Sequence, residues 1–185
     1  MKIHTTKFPE ILIIEPEIHA DNRGYFMESY NKREFKSHGI DIEFIQDNHS
    51  LSLKKHTIRG MHYQLQPKAQ NKLIRVVTGE ILNVVVDIRQ GSPTYKQHDK
   101  INLSSEKNKL LLVPVGFANG FCSLIDNTEV AYKVDQYYSP EHDRAFAWDD
   151  PEIGIDWNVA DSILSERDKN APKLSEIENN FIYEK

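Results

Sequence analysis

Apolar residues in this chain fall into short runs and two-residue alternations, separated by turn residues, and only one stretch carries a helical signature. Ile11-Leu12-Ile13-Ile14 is a β-branched run closed by Glu15-Pro16, which reads as a strand. The turn residues Asp21-Asn22-Arg23-Gly24 feed an extended segment from Tyr25 to Tyr30. Its alternation sets Phe26 and Glu28 on one face, Tyr25 and Met27 on the other. A helix follows: Asn31 is placed to cap it, Glu34 stands three residues on, and Tyr30 and Phe35 have the spacing of a hydrophobic staple. Gly39 ends it after about two turns.

From Glu43 to about Tyr138 the pattern predicts strands and turns. Phe44–Asn48, Thr57–Gln64 and Lys72–Val77 each have strand length, and Thr78-Gly79-Glu80 reads as a hairpin turn into Ile81–Ile88. Gly91-Ser92-Pro93 is a further turn, Leu110–Val113 a short strand, and Glu129–Tyr138 a long extended segment stopped by Pro140. After Trp148-Asp149-Asp150-Pro151 the chain becomes polar, with one short helix expected near its end. Many short strands with regular punctuation predict a mainly β fold, a sandwich or barrel, as one domain over residues 1–185.

Composition narrows the chemistry. The 185 residues carry a net charge of −5, so no basic face is expected and nucleic acid is not the expected partner. A single cysteine, Cys122, cannot form an intramolecular disulfide and suits a reducing cytoplasm. Neither a signal-peptide core nor a membrane-length apolar run is present, so a soluble cytoplasmic protein without membrane contact is expected.

The stretch Thr57-Ile58-Arg59-Gly60-Met61-His62-Tyr63-Gln64 draws attention, because glycine inside a strand signals a close backbone approach. His62 beside it is a candidate acid–base group, set against the ordinary reading of a hydrogen-bonded core histidine. Small β-barrels often hold a metal with two histidines one residue apart, a glutamate and a third histidine on a later strand. Here His62 stands alone between Gly60 and Gln64, and Asn119 occupies the place of the later histidine. His4, His19, His38, His49, His56, His98 and His142 are scattered in polar surroundings, so no metal and no cofactor are expected.

Acid–base chemistry remains. His62 is the candidate base, and Lys72 can place an ammonium over a developing oxyanion, or simply lie on the surface. Tyr132 and Tyr138 share a face if Glu129–Tyr138 is one regular strand; one phenol can donate a proton and the other stack on an aromatic ring, or both can line a core. Arg23, Glu28, Gln46, Asn48 and Arg59 are polar residues in or beside apolar segments and suit a ligand bearing phosphates and a base. Asp168, in Ser165-Glu166-Arg167-Asp168, fits a capping box; alternatively it folds back and fixes the tautomer of His62. Arg59 and His62 are three apart and face opposite ways in a regular strand. Either the strand bulges near Gly60, or Arg59 serves another subunit's pocket through strands exchanged across a dimer; the second is the expectation.

These segments, taken in order, resemble the dTDP-4-dehydrorhamnose 3,5-epimerases, metal-free cupins acting on nucleotide-linked 4-keto-6-deoxyhexoses. The resemblance runs from Asp21 to Pro172. It is carried by Asp21-Asn22-Arg23-Gly24-Tyr25-Phe26-Met27-Glu28, Gln46-Asp47-Asn48, Ile58–Gln64, Asn71-Lys72-Leu73, Tyr132-Lys133, Tyr137–His142, Gly154-Ile155-Asp156-Trp157 and Leu164-Ser165-Glu166-Arg167-Asp168. It implies a cupin jelly roll, a homodimer and a nucleotide-sugar substrate. It makes His62 the base assisted by Asp168, Lys72 the partner of the enolate oxygen and Tyr132 the acid on the opposite face. Arg23, Phe26, Glu28, Gln46, Asn48, Arg59, Asn119, Asp143 and Arg167 become substrate-binding residues, with Tyr138 stacking on the nucleotide base.

Two positions depart from the family pattern: Asn119 stands where histidine is usual, and Asp143 where glutamate is common. Asparagine hydrogen-bonds but carries no titrating proton. A single-centre epimerase on a related sugar nucleotide is therefore the alternative, with a C-4 to C-3 ketoisomerase behind it. A non-catalytic carbohydrate-binding jelly roll is the remote one, since it needs no joint presence of His62, Lys72, Tyr132 and Asp168.

Overall fold

The alternating segments become two antiparallel sheets laid face to face. In the computed structural model, which describes residues 1–184, the larger sheet has six strands. In spatial order they are β1 (Lys2–Thr5), β2 (Leu12–Glu15), β10 (Leu110–Val113), β7 (Lys72–Thr78), β12 (Thr128–Val134) and β5 (Gln46–Ser52). The smaller sheet has five, in the order β13 (Asp143–Ala145), β6 (Ile58–Gln64), β11 (Phe117–Ser123), β8 (Glu80–Asp87) and β9 (His98–Ser104). A hairpin of β3 (Ile18–Asp21) and β4 (Gly24–Met27) stands apart as its own two-stranded sheet. The helices are short: α1 (Lys32–Ser37), α2 (Glu166–Lys169) and a single 3-10 turn at Leu174–Glu176. The mainly β reading holds, with a sandwich as its architecture. Among the described residues no helix is long and apolar enough to cross a membrane.

Alternation within each strand divides the apolar residues into layers. Ile74, Val76, Leu111 and Val130 of the large sheet meet Ile81, Val85, Phe117 and Phe121 of the small one in the central core. The far face of the small sheet is covered by the C-terminal segment through Ile153, Trp157, Leu174 and Phe181. On the far face of the large sheet, Phe35 and Ile40 pack against Leu73, Leu110 and Leu112. A helix of six residues has no independent stability, so α1 depends on burying Phe35 there, worth about 1.5–3 kcal/mol. Its cap is the expected one: Asn31 accepts from the amides of Arg33 and Glu34, and the Tyr30 and Phe35 rings meet edge to face at 5.1 Å.

Three local expectations are corrected. Thr78-Gly79-Glu80 is no hairpin turn, because β7 and β8 belong to different sheets. It is the corner where the chain changes layer: Gly79 has φ +91°, and a Cβ there would lie 2.5 Å from Thr128 Oγ1. β12 ends at Val134 rather than Tyr138, since the Asp135 carboxylate turns aside to bind the backbone and side-chain amides of Asn71. Tyr132 and Tyr138 therefore do not share a strand face. Finally, β5 begins at Gln46 and runs to Ser52, displaced from the expected Phe44–Asn48.

Candidate active site

Gly60 is where the site begins. A Cβ on it would come within 2.5 Å of Gly120 Cα, and its φ is +131°, so β6 and β11 approach here as only two glycines can. The expected close approach is thus made by the neighbouring strand's backbone. Asn119 pairs with His62 and Phe121 with Arg59, so the register slips by one residue between them. That slip is a bulge, and it aims both Arg59 and His62 into the space between the sheets. Arg59 therefore lines the same cavity as His62 within one chain, against the expectation that it serves another subunit. Its guanidinium is steadied by Leu51 O at 3.0 Å and Ser52 Oγ at 3.3 Å.

The C-terminal segment crosses to meet this strand. Thr57 bridges Ile163, and the Ile58 amide donates to Ile163 O, which sets Ser165 at the start of α2. Ser165 Oγ accepts from the Asp168 amide at 3.1 Å, half of a capping box. The other half does not form, because the Asp168 carboxylate turns inward to His62 Nε2 at 2.6 Å. The capping-box reading of the Asp168 carboxylate therefore gives way: only the Asp168 amide is capped, and the carboxylate folds back onto His62. Asp168 is 4% exposed and His62 29%, so the carboxylate is sealed while the ring opens on the cavity. A proton on Nε2 shared with Asp168 leaves Nδ1 with its lone pair.

The opposite wall belongs to the large sheet. Lys72 and Tyr132 sit on adjacent strands β7 and β12 and line, with His62, Arg59, Asn119, Arg167 and Asp168, a cavity of about 400 Å³. Burial pushes the Lys72 ammonium down to about 8, with Asp143 pulling it up and Arg167 pushing it further down. The Tyr132 phenol is raised, chiefly by burial, and Arg59 partly offsets this. Burial also raises Asp168, but the hydrogen bond and charge of His62, with Ser165 and the Gly60 amide, carry it below the usual carboxylate value.

Around the rim, the Asp143 carboxylate accepts from Arg167 at 2.8 Å and from the Tyr138 hydroxyl at 3.1 Å. The charge of Asp143 is the main reason the Tyr138 phenol is raised. Gln46 and Asn48 on β5 are joined at 2.9 Å, with Asn48 opposite Tyr132, and Gln46 Oε1 takes the Tyr138 amide at 3.2 Å. Arg23, Phe26 and Glu28 are not brought here. Arg23 is paired with Asp21 on the outlying hairpin, Phe26 is 66% exposed, and Phe26 and Glu28 border a separate recess beside Glu34 and Phe35. Ser165, Phe121 and Gly120 also shape the site, and of these only Ser165 carries a local sequence signal, its cap pattern. Among the described residues, no three His, Cys, Asp or Glu side chains cluster as a metal site would require.

A family model described as dTDP-4-dehydrorhamnose 3,5-epimerase matches residues 5–176. The Shigella flexneri dTDP-4-dehydrorhamnose 3,5-epimerase is 46% identical over 175 residues, covering 94% of this chain and 96% of that protein. The crystal structure of the Bacillus anthracis dTDP-4-dehydrorhamnose 3,5-epimerase with TDP and PPi bound superposes with a TM-score of 0.90 at 47% identity, over 93% of this chain and 98% of that one. The Legionella pneumophila dTDP-6-deoxy-D-glucose-3,5-epimerase in complex with dTDP-4-keto-L-rhamnose gives a TM-score of 0.91 at 41% identity, over 96% and 94%.

Proposed function

The chain belongs to the dTDP-4-dehydrorhamnose 3,5-epimerase family, and from that premise we propose how its residues invert C-3 and C-5 of a dTDP-linked 4-keto-6-deoxyhexose. The observation that carries the proposal is the sealed His62–Asp168 pair opening on a cavity whose other wall holds Lys72 and Tyr132. The C-4 ketone acidifies the hydrogens on C-3 and C-5. His62 removes one of them through Nδ1, and Asp168 stabilises the imidazolium that forms. The electron pair moves onto the C-4 oxygen, where the Lys72 ammonium lies over the enolate. Tyr132 returns a proton from the opposite sheet, so the carbon is reprotonated on its other face. His62 then loses its proton to solvent and the Tyr132 phenolate takes one up, and the reset groups act on the second carbon. Arg59, Arg167, Gln46 and Asn48 bind the nucleotide diphosphate and sugar, and Tyr138, exposed at the rim, stacks on the base.

We further propose a homodimer in which the β3–β4 hairpin completes the partner's site. The hairpin joins neither main sheet and exposes Ile18, Tyr25 and Phe26 at 41%, 57% and 66%. It also carries Arg23, and Glu28 follows it, three substrate-binding residues of the resemblance together with Phe26. Strand exchange thus moves from Arg59, where it was expected, to this hairpin. A cytoplasmic setting fits the single buried thiol, Cys122, pushed up to about 11 by burial.

The test is incubation with dTDP-4-keto-6-deoxyglucose in heavy water and mass spectrometry of the sugar. Two deuterons, at C-3 and C-5, are expected. A single deuteron makes this a single-centre enzyme, and none with any 4-keto nucleotide sugar removes the catalytic reading.

A further inference from the structure

β8 runs Glu80-Ile81-Leu82-Asn83-Val84-Val85-Val86-Asp87, and every residue from Ile81 on is buried. Asn83 is the one amide in this apolar run, 0% exposed and on the face that looks between the sheets. Its Oδ1 accepts from Asn119 Nδ2 at 3.0 Å, and its own Nδ2 has no partner. A leucine would fill such a place without an orphaned donor, so the amide needs a reason to be there. Asn119 supplies it. Its Nδ2 also donates to Val84 O at 3.1 Å, which uses both of its hydrogens. A backbone carbonyl can only accept, so the amide cannot be turned the other way round. Asn119 lines the cavity directly opposite His62 in register, and among the described residues no hydrogen bond is made to its Oδ1.

We propose that Asn83 and Asn119 form a one-way hydrogen-bond relay that fixes Asn119 Oδ1 as an acceptor for a ring hydroxyl of the sugar, making Asn119 a specificity-determining residue and Asn83 a positioning residue. The proposal rests on the reading of this cavity as the sugar site and adds the polarity of one contact. A locked acceptor binds a hydroxyl and turns away a carbonyl oxygen or a phosphate. The ketone is thereby left to Lys72, and the sugar can enter only with a hydroxyl, at C-2 or C-3, directed at β11. The relay is neutral at both members, so it holds its direction at every pH at which the enzyme folds.

The experiment compares deuterium exchange of dTDP-4-keto-6-deoxyglucose with that of its 2-deoxy and 3-deoxy counterparts, in wild type, Asn119→Leu, Asn83→Leu and Asn83→Asp. In wild type, loss of the correct hydroxyl is expected to lower kcat/KM by about 10–10²-fold, because the neutral Asn119 oxygen is then left unpaired. Asn119→Leu should shrink that ratio to near unity, and Asn83→Leu should lower it part of the way, because the amide keeps its bond to Val84 O but loses the second anchor that Asn83 Oδ1 gives it. Asn83→Asp keeps an acceptor facing Asn119 Nδ2 and should retain the wild-type ratio. A merely structural role moves the melting temperature and lowers all substrates equally, leaving the ratio unchanged. An unchanged ratio in folded Asn119→Leu or Asn83→Leu overturns the relay while active wild type upholds the sugar site. Wild type inactive on all three sugars overturns the site and the relay together.

Discussion

The proposed mechanism rests most heavily on the 2.6 Å hydrogen bond between His62 and Asp168, which makes that pair the first place to test. Asp168→Asn keeps the shape but lets the ring take the wrong tautomer, and it removes the charge that stabilises the imidazolium. The expected result is a fall in kcat of about 10²–10⁴-fold with little change in KM, measured by exchange rate against sugar concentration. Lys72 gives a prediction in the opposite direction for stability. Burial lowers it from 10.5 to about 8, so the folded protein disfavours the ammonium that the unfolded chain carries. The unfolded state then binds more protons between about pH 8 and 10.5, and stability rises with pH through that window. Below it the penalty is fully present, at most about 3 kcal/mol. Lys72→Met is expected to raise the melting temperature at pH 7 while lowering kcat by about 10²–10³-fold. Wild-type activity should also decline above about pH 8 as the ammonium is lost. A variant no more stable than wild type at pH 7 would contradict the buried charge.

At the level of elements, the bulge between β6 and β11 does what neither strand shows alone. Gly60→Ala forces a methyl against the Gly120 backbone at a φ of +131°. A loss of about 2–5 kcal/mol is expected in urea unfolding, together with misplacement of His62. How far the sequence disclosed this follows from which signals are local. The cap at Asn31, the staple of Tyr30 on Phe35 and the strand around His62 depend on residues a few positions apart, and they were readable. Gly60 announced a close approach but not its partner, since Gly120 lies sixty residues on and meets it only when β11 is laid beside β6. Gly79 announced a turn, yet whether a turn closes a hairpin or changes sheets is decided by where Thr128 packs. β9, His98–Ser104, is hidden in the sequence because its alternation is diluted by charge, and β11 because Asn119 and Gly120 interrupt its apolar pattern. Asn83 carried a readable signal, a lone amide in an apolar run, whose meaning waited on its hydrogen bond to Asn119.

At the scale of the whole molecule, one chain brings together the proposed acid–base groups but not all the residues expected around the substrate. His62, Lys72, Tyr132 and Asp168 line one cavity, whereas Arg23, Phe26 and Glu28 lie on or just beyond a hairpin that contributes nothing to it. A dimer with exchanged hairpins reconciles these facts, and subunit mixing distinguishes it from a hairpin that folds over its own site. His62→Asn removes the base from one chain and leaves its hairpin whole; Arg23→Ala damages the hairpin of the other and leaves its base. In a heterodimer with exchange, one site receives His62 from the second chain and Arg23 from the first, and is intact, while the other lacks both. Heterodimers isolated through two different affinity tags should therefore show about half of the wild-type kcat per dimer with a wild-type KM, as two-fold symmetry requires. If each hairpin served its own chain, no heterodimer site would hold both residues, and the wild-type KM would not return. That outcome would return Arg23, Phe26 and Glu28 to their own protomer and dissolve the argument for exchange.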